Sequence, residues 1–295
     1  MTYTALITPF HKDGSFDEEG FVKLIEYQTQ AQVDGIVILG STGESSTVSE
    51  KERHRILRLA RNKIKAPLHL IVGTGNASTE MTIEETKNAE KIGADAALIV
   101  TPYYNKPTQE GLYLHYQAVA KACTLPIILY NIAGRTGVNL SVSVVKRLIS
   151  SISTIVGIKE ASGNLAQIMD TIEMRNQERP EFKVFSGDDN FTLPVMSLGG
   201  DGVISVLSNL VPDMVQQLTA YCKNNEWEEA RALHYQLLPL FRAIFLETNP
   251  IPIKTLMRFS DLPSGPCRLP LSAPSSENEK HLRHFHEMVK LSSFF

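Results

Sequence analysis

The chain has 295 residues, of which 43% are hydrophobic and 21% charged, and its net charge is −3. That length suits a single α/β barrel, and the apolar fraction is enough for a sizeable core. With no basic excess and no acidic tail, the composition excludes a nucleic-acid surface, an anionic-membrane surface and a charged disordered tail. Cys123, Cys222 and Cys267 are far apart and form no CxxC, so neither a disulfide framework nor a zinc site is expected. Reduced thiols in a cytoplasmic protein are the simplest reading. The first residues, Met1-Thr2-Tyr3-Thr4-Ala5-Leu6-Ile7, lack a basic segment and a long apolar one, and no apolar run approaches ~20 residues. No membrane association is expected.

Short apolar runs alternate with longer amphipathic segments along the chain. The first run, residues 4–8, leads into Thr8-Pro9-Phe10, which is not the glycine-rich turn that an open dinucleotide-binding sheet places after its first strand. Residues 17–33 then put Phe21, Leu24 and Ile25 at helical spacing. Further runs follow at 35–39, 68–72, 96–100, 127–130, 155–158, 183–185 and 202–206. Several are apolar throughout, as strands buried on both faces are. Ser15-Phe16-Asp17-Glu18, Ser49-Glu50-Lys51-Glu52 and Thr82-Ile83-Glu84-Glu85 each fit a capping box, and Gly93 and Gly199-Gly200 fit helix stops. Eight β/α alternations imply a parallel sheet closed into a (β/α)₈ TIM barrel. After residue 211 the strands stop. Residues 212–223, 226–247 and 277–291 read as helices, with Pro239 inside the second and a Pro/Ser-rich loop at 263–276. The expected division is a barrel over residues 1–224 and a helical C-terminal extension over 225–295.

Barrel chemistry forms at the carboxyl ends of the strands, so the polar residues there carry the functional reading. The sixth run continues directly into Lys159-Glu160. Burial disfavours an ammonium, and a neutral amine is what a Schiff-base nucleophile needs. The alternative is a lysine paired with Glu160 or Asp188, because structural ion pairs also perturb lysines. The second run ends in Gly40-Ser41-Thr42-Gly43-Glu44-Ser45. Its hydroxyls and backbone N–H groups suit a carboxylate, although ordinary βα turns have the same composition. Tyr103, Tyr104 and Tyr130 follow two further strands. Tyrosines there can relay protons, yet interior tyrosines more commonly pack. Arg135 offers a planar fork for a carboxylate or a brace for its own loop. Gly73, Gly75, Gly187 and Gly202 allow close backbone approach to a ligand. Lys106 falls in a loop, and Lys254 in a helical stretch after two prolines. The spacing of His281, His284 and His286 does not put all three on one helix face, so no metal site is expected. No GxGxxG opens a helix after a strand, so no nucleotide cofactor is expected either.

Taken together, these motifs resemble the dihydrodipicolinate synthase family. The resemblance runs through Gly40-Ser41-Thr42-Gly43-Glu44, Thr101-Pro102-Tyr103-Tyr104-Asn105, Tyr130-Asn131, Gly134-Arg135-Thr136-Gly137 and Gly157-Ile158-Lys159-Glu160-Ala161. It continues through Ser186-Gly187-Asp188, residues 202–206 and Thr248-Asn249-Pro250-Ile251-Pro252, and so covers essentially the whole chain. It implies a class I aldolase-type lyase in which Lys159 forms an imine with pyruvate and the enamine attacks L-aspartate-4-semialdehyde. The product would be 4-hydroxy-tetrahydrodipicolinate, a precursor of diaminopimelate and lysine. No cofactor is implied. Tyr130 would donate and accept protons, with Ser41 and Tyr104 completing a relay. Tyr104 would reach a neighbouring subunit's site, in a homo-oligomer built as a dimer of dimers. Thr42, Ile204 and Gly187 would contact substrate, and Arg135 would hold the semialdehyde's carboxylate. Asn76, Glu80 and Tyr103 match allosteric lysine contacts. Glu50 and Arg53 stand where lysine-sensitive relatives often carry histidines, so weak feedback is expected. Ser41 replaces the usual threonine and Ala133 the usual proline. Two rivals stay open: a sister pyruvate lyase such as N-acetylneuraminate lyase, and a non-catalytic barrel that binds a keto acid.

Overall fold

The computed structural model describes residues 1–291. Its strands are β1 (Thr2–Ala5), β2 (Gly35–Ile38), β3 (His69–Gly73), β4 (Ala96–Val100), β5 (Ile127–Asn131), β6 (Ile155–Glu160), β7 (Lys183–Ser186) and β8 (Gly202–Ser205). Its helices are α1 (Glu18–Gln30), α2 (Glu50–Lys63), α3 (Thr79–Lys91), α4 (Gln109–Ala122), α5 (Ala133–Thr136), α6 (Val142–Ser151), α7 (Leu165–Glu178), α8 (Thr192–Ser197), α9 (Pro212–Lys223), α10 (Trp227–Ala243), α11 (Ile251–Phe259) and α12 (Ser276–Leu291). The eight strands close in sequence order into one barrel, the TIM architecture that the β/α alternation implies, with further helices after it. Several strands buried on both faces carry continuous apolar runs, as in Ile36-Val37-Ile38 and Ala97-Leu98-Ile99.

The chain divides into two compact units, the first holding residues 1–69 with those from 205 onward. Here β1 begins earlier than its apolar run suggests, because the hydroxyls of its threonines are satisfied inside the protein. Thr4 Oγ1 donates to Gln28 Oε1 at 2.6 Å, and Thr2 Oγ1 lies 2.8 Å from Thr219 Oγ1. A buried hydroxyl with a partner costs little, so polar residues can occupy a fully buried strand. Helix α1 starts after Asp17, whose carboxylate accepts from the Gly20 N–H at 2.8 Å. An aspartate directly before the first helical residue is a strong cap, and it replaces the box expected at Ser15. The box at Ser49 forms as expected, with Ser49 Oγ accepting from Glu52 N and Glu52 Oε2 accepting from Ser49 N. Pro239 sits inside α10. Helix α11 tolerates Pro252 because the first turn of a helix does not use its N–H groups.

The second unit holds residues 70–204. Its strands pair in parallel, and the β5–β6 register slips between Ile127 and Ile128. Beyond that slip Tyr130 is the register partner of Lys159, and Asn131 that of Glu160. Helix α3 begins one turn earlier than the box expected at Thr82. Ser78 is the cap, and Thr82 is interior, its hydroxyl donating back to Ser78 O at 2.9 Å. A buried pair, Arg175 Nη1 to Asp201 Oδ2 at 2.8 Å, joins α7 to the loop before β8. Asp201 also accepts from Val184 N and Lys183 Nζ, so its charge is well met. No helix among the described residues is long and apolar enough to cross a membrane.

The pair between Arg268 and Glu52 gives a pH-dependent test. Arg268 donates through two nitrogens to the Glu52 carboxylate, and that contact holds the carboxyl down to about 2. A carboxyl depressed in the folded state stabilises the fold above the ordinary carboxylate range and loses that contribution as the pH falls. Wild-type denaturation midpoints are therefore expected to fall between pH 4.5 and 2. Glu52→Gln is expected to be less stable at neutral pH and to fall less across that interval in urea titrations.

Candidate active site

Lys159 is the fifth residue of β6, and its side chain is only 4% exposed. Register partners on neighbouring parallel strands share a face, about 4.8 Å apart, so Tyr130 and Lys159 lie side by side. The Lys159 amine sits over the Tyr130 ring, 4.4 Å from its centroid. Among the described residues the Lys159 amine makes no ion pair and no hydrogen bond. Neither carboxylate considered as its partner is in contact with it. Glu160 points to the opposite face of the strand, as alternation requires. There it accepts from Asn131 Nδ2 at 3.1 Å, Ser162 N at 2.9 Å and Gln167 Nε2 at 3.2 Å. Burial pushes its carboxyl up against the pull of those donors. Asp188 caps the turn after β7 through Asn190 N at 3.0 Å. Its carboxyl is raised by burial, while the Asn190 N–H and the charge of Lys159 pull the other way.

Gly187 explains how the lysine stem fits. A Cβ at that position would lie 2.7 Å from Ala161 Cβ and 3.0 Å from both Cγ and Cε of Lys159. The missing side chain is the space that the lysine occupies. Ile204 is fully buried in β8. The Tyr130 hydroxyl, on a residue 5% exposed, enters no hydrogen bond among the described residues.

Arg135 lies exposed on α5, a single turn closed by Gly137 in the left-handed region at φ 73°. The loop is organised by Thr136, whose hydroxyl reaches Ile132 O and Val138 O. Tyr104 is 93% exposed and has φ 75°, which is uncommon for a residue with a Cβ. Tyr103 is also exposed. Asn76 and Glu80 flank the start of α3, where Asn76 Oδ1 accepts from Ser78 N at 3.1 Å.

In the other unit, the turn after β2 contains two further residues at positive φ, Leu39 at 56° and Glu44 at 52°. The backbone N–H groups of Ser41, Thr42 and Gly43 donate to no acceptor among the described residues. Consecutive free N–H groups in such a turn form an anion-binding nest. Thr42 is buried and accepts from Asn249 Nδ2 at 2.8 Å, while the Ser41 hydroxyl makes no bond among the described residues. Glu44 is buried and paired with Lys254 at 2.7 Å. Lys254 is as deeply buried as Lys159, but all three of its protons are used, on Glu44 Oε1, Thr8 O and Pro266 O. Sequence reading passed over Lys254, Arg268 and the side chain of Asn249. Their partners Thr42 and Glu44 lie more than 200 residues away in the chain, where no local pattern can point to them.

The chain matches the dihydrodipicolinate synthetase family over residues 1–290. It belongs to that family. A 4-hydroxy-tetrahydrodipicolinate synthase of Protochlamydia amoebophila is 52% identical over 280 residues, covering 95% of this chain and 93% of the relative. The protein of that name from Methanococcoides burtonii is 46% identical, with 94% of each chain covered. The crystal structure of dihydrodipicolinate synthase from Thermotoga maritima superposes with a TM-score of 0.96 at 40% identity, covering 100% of this chain and 98% of that one. Among the described residues no group of three or more His, Cys, Asp or Glu is placed to hold a metal ion. Of the C-terminal histidines, His286 is buried with Nε2 3.0 Å from Ser260 Oγ, and His281 and His284 are exposed.

The fit of Lys159 against Gly187 predicts a specific defect for this member of the dihydrodipicolinate synthetase family. Gly187→Ala should displace the amine and slow reductive alkylation of Lys159 by a small aldehyde about a hundredfold. Peptide mass spectrometry reads this, with the exposed Lys106 as internal reference. Unchanged labelling would mean that the strand, not the lysine, gives way.

Proposed function

We propose that this chain catalyses the reaction for which its relatives are named, joining pyruvate to L-aspartate-4-semialdehyde to give 4-hydroxy-tetrahydrodipicolinate. The single observation that carries this reading is a buried lysine amine, at the carboxyl end of a barrel strand, with no ion pair and with a tyrosine ring against it. An amine locked to a carboxylate is held away from a carbonyl, whereas an unpaired one is available to attack it.

The Lys159 amine attacks the keto carbon of pyruvate, and the carbinolamine loses water to give a protonated imine. That cation draws electrons from the adjacent methyl group, a proton leaves, and an enamine forms. The enamine carbon attacks the aldehyde of the semialdehyde, whose oxygen takes up a proton. The semialdehyde's amine then attacks the imine carbon, closes the ring and frees Lys159. In this reading Tyr130 moves the protons, with Ser41 and Tyr104 completing the relay. The hydroxyl and backbone of Thr42 and the backbone at Ile204 receive pyruvate, and Gly187 keeps room beside the amine. Arg135 holds the semialdehyde's carboxylate. The exposed, left-handed Tyr104 supports a homo-oligomer in which this residue serves a neighbour, assembled as a dimer of dimers in the cytoplasm.

Borohydride with pyruvate is expected to leave a reduced adduct on Lys159 and none on Lys254, and Lys159→Met should abolish it. No adduct on Lys159 would end this reading. Consumption of pyruvate should require the semialdehyde and should not occur with N-acetylmannosamine. Tyr130→Phe should lower kcat by about 10²–10⁴-fold, the range for losing a positioned acid–base group. With Glu50 exposed and Arg53 bonded to Ser45 O, L-lysine should inhibit weakly. A sub-millimolar inhibition constant would overturn that last expectation alone.

A further inference from the structure

The turn at residues 40–45 is costly to hold. Leu39, directly before it, and Glu44, within it, sit at positive φ, and Glu44 is a buried carboxylate. Left-handed backbone costs on the order of 1–2 kcal/mol per residue that carries a Cβ. Such strain persists only where the surroundings over-determine it. In this case the surroundings come from the far end of the chain. Lys254 of α11 binds Glu44 Oε1 at 2.7 Å, and Arg268 N donates to Glu44 Oε2 at 2.8 Å. Lys254 also holds Thr8 O at 3.1 Å, and the Thr8 hydroxyl holds Gly43 O at 2.6 Å. Asn249, two residues before α11, donates to Thr42 Oγ1 at 2.8 Å.

That last bond decides where the proton of Thr42 goes. A threonine hydroxyl has one proton and two lone pairs. The Asn249 amide occupies a lone pair and therefore cannot take the proton. No other acceptor among the described residues takes it. A buried hydroxyl in this state, beside three free backbone N–H groups, is a donor waiting for an anionic oxygen.

We infer that Asn249 and Lys254 are positioning residues for the substrate's carboxylate, with Asn249 setting the Thr42 hydroxyl as a donor and Lys254 clamping the turn that carries it. The segment running from Asn249 into α11 therefore belongs to the binding apparatus for a 2-oxo acid. This rests on the reading that pyruvate's carboxylate is received at Thr42.

The isosteric variant Asn249→Asp tests it. The aspartate can only accept, so it claims the proton of Thr42 and brings a negative charge to an anion site. The KM for pyruvate should rise about tenfold or more, the scale of a charge-assisted hydrogen bond. Expected alongside are a kcat within about threefold of wild type, since binding but not chemistry is affected, and an unchanged KM for the semialdehyde. In a Thr42→Val background the same change should add little, because the two residues act through one bond. A merely structural Asn249 would add its full cost in both backgrounds. The double variant Glu44→Gln/Lys254→Met removes both charges at similar volume and should also raise the pyruvate KM, so the test does not hang on one protein folding. An unchanged pyruvate KM in these variants, with the borohydride adduct still forming on wild-type Lys159, overturns this inference alone. A wild-type protein that forms no adduct overturns the functional reading as well.

Discussion

Taking a lysine amine out of water costs on the order of several kcal/mol unless its charge and its protons are met, and this chain buries two such amines with opposite outcomes. Lys254 receives a carboxylate and two carbonyls, one for each proton. It is structurally secure and chemically silent. Lys159 receives only a tyrosine ring and the distant field of Asp188. Such an arrangement is poor for stability and good for nucleophilic chemistry, and it persists because the barrel strands on either side of it are fixed by their own ladders. The carboxylate nearest in sequence, Glu160, could have quenched the amine. Strand alternation turns it to the other face, where Asn131, Ser162 and Gln167 hold it.

Much of this was legible in the linear sequence because the signals are local. Residues 96–100 read as a strand from a run of apolar side chains, and β4 has those bounds. The lysine at the end of the sixth run stands out because a charge directly after four residues of strand is unusual. The capping box at Ser49 is a four-residue pattern and formed as such. The glycine before Asp188 was legible as a place of close approach, although not that a lysine stem would fill it.

Long-range effects were not legible. The start of β1 was placed two residues late, at Thr4, because Thr2 looks too polar for a buried strand, and the hydroxyl that satisfies it lies 217 residues away. The pairing of Tyr130 with Lys159 depends on a one-residue slip in register, which no periodicity encodes. Helix α3 capped on Ser78 instead of starting at Thr82 because two hydroxyl residues compete there, and the choice rests on how the preceding loop enters. Lys254 looked like an ordinary helical lysine, since nothing near it in sequence shows that Glu44 will be its partner.

The reach of those contacts also bears on how the protein is made. Glu44 meets Lys254 across 210 residues and the Arg268 amide across 224. On a ribosome adding ~5–20 residues per second, the β2 turn would wait roughly 10–40 s for the groups that neutralise its buried carboxylate. Until then nothing holds the turn in its left-handed form, and the Glu44 carboxylate stays in water beside an apolar strand that is already complete. Such an interval favours a loosely ordered N-terminal segment that commits late, once the last helices have emerged to lock it.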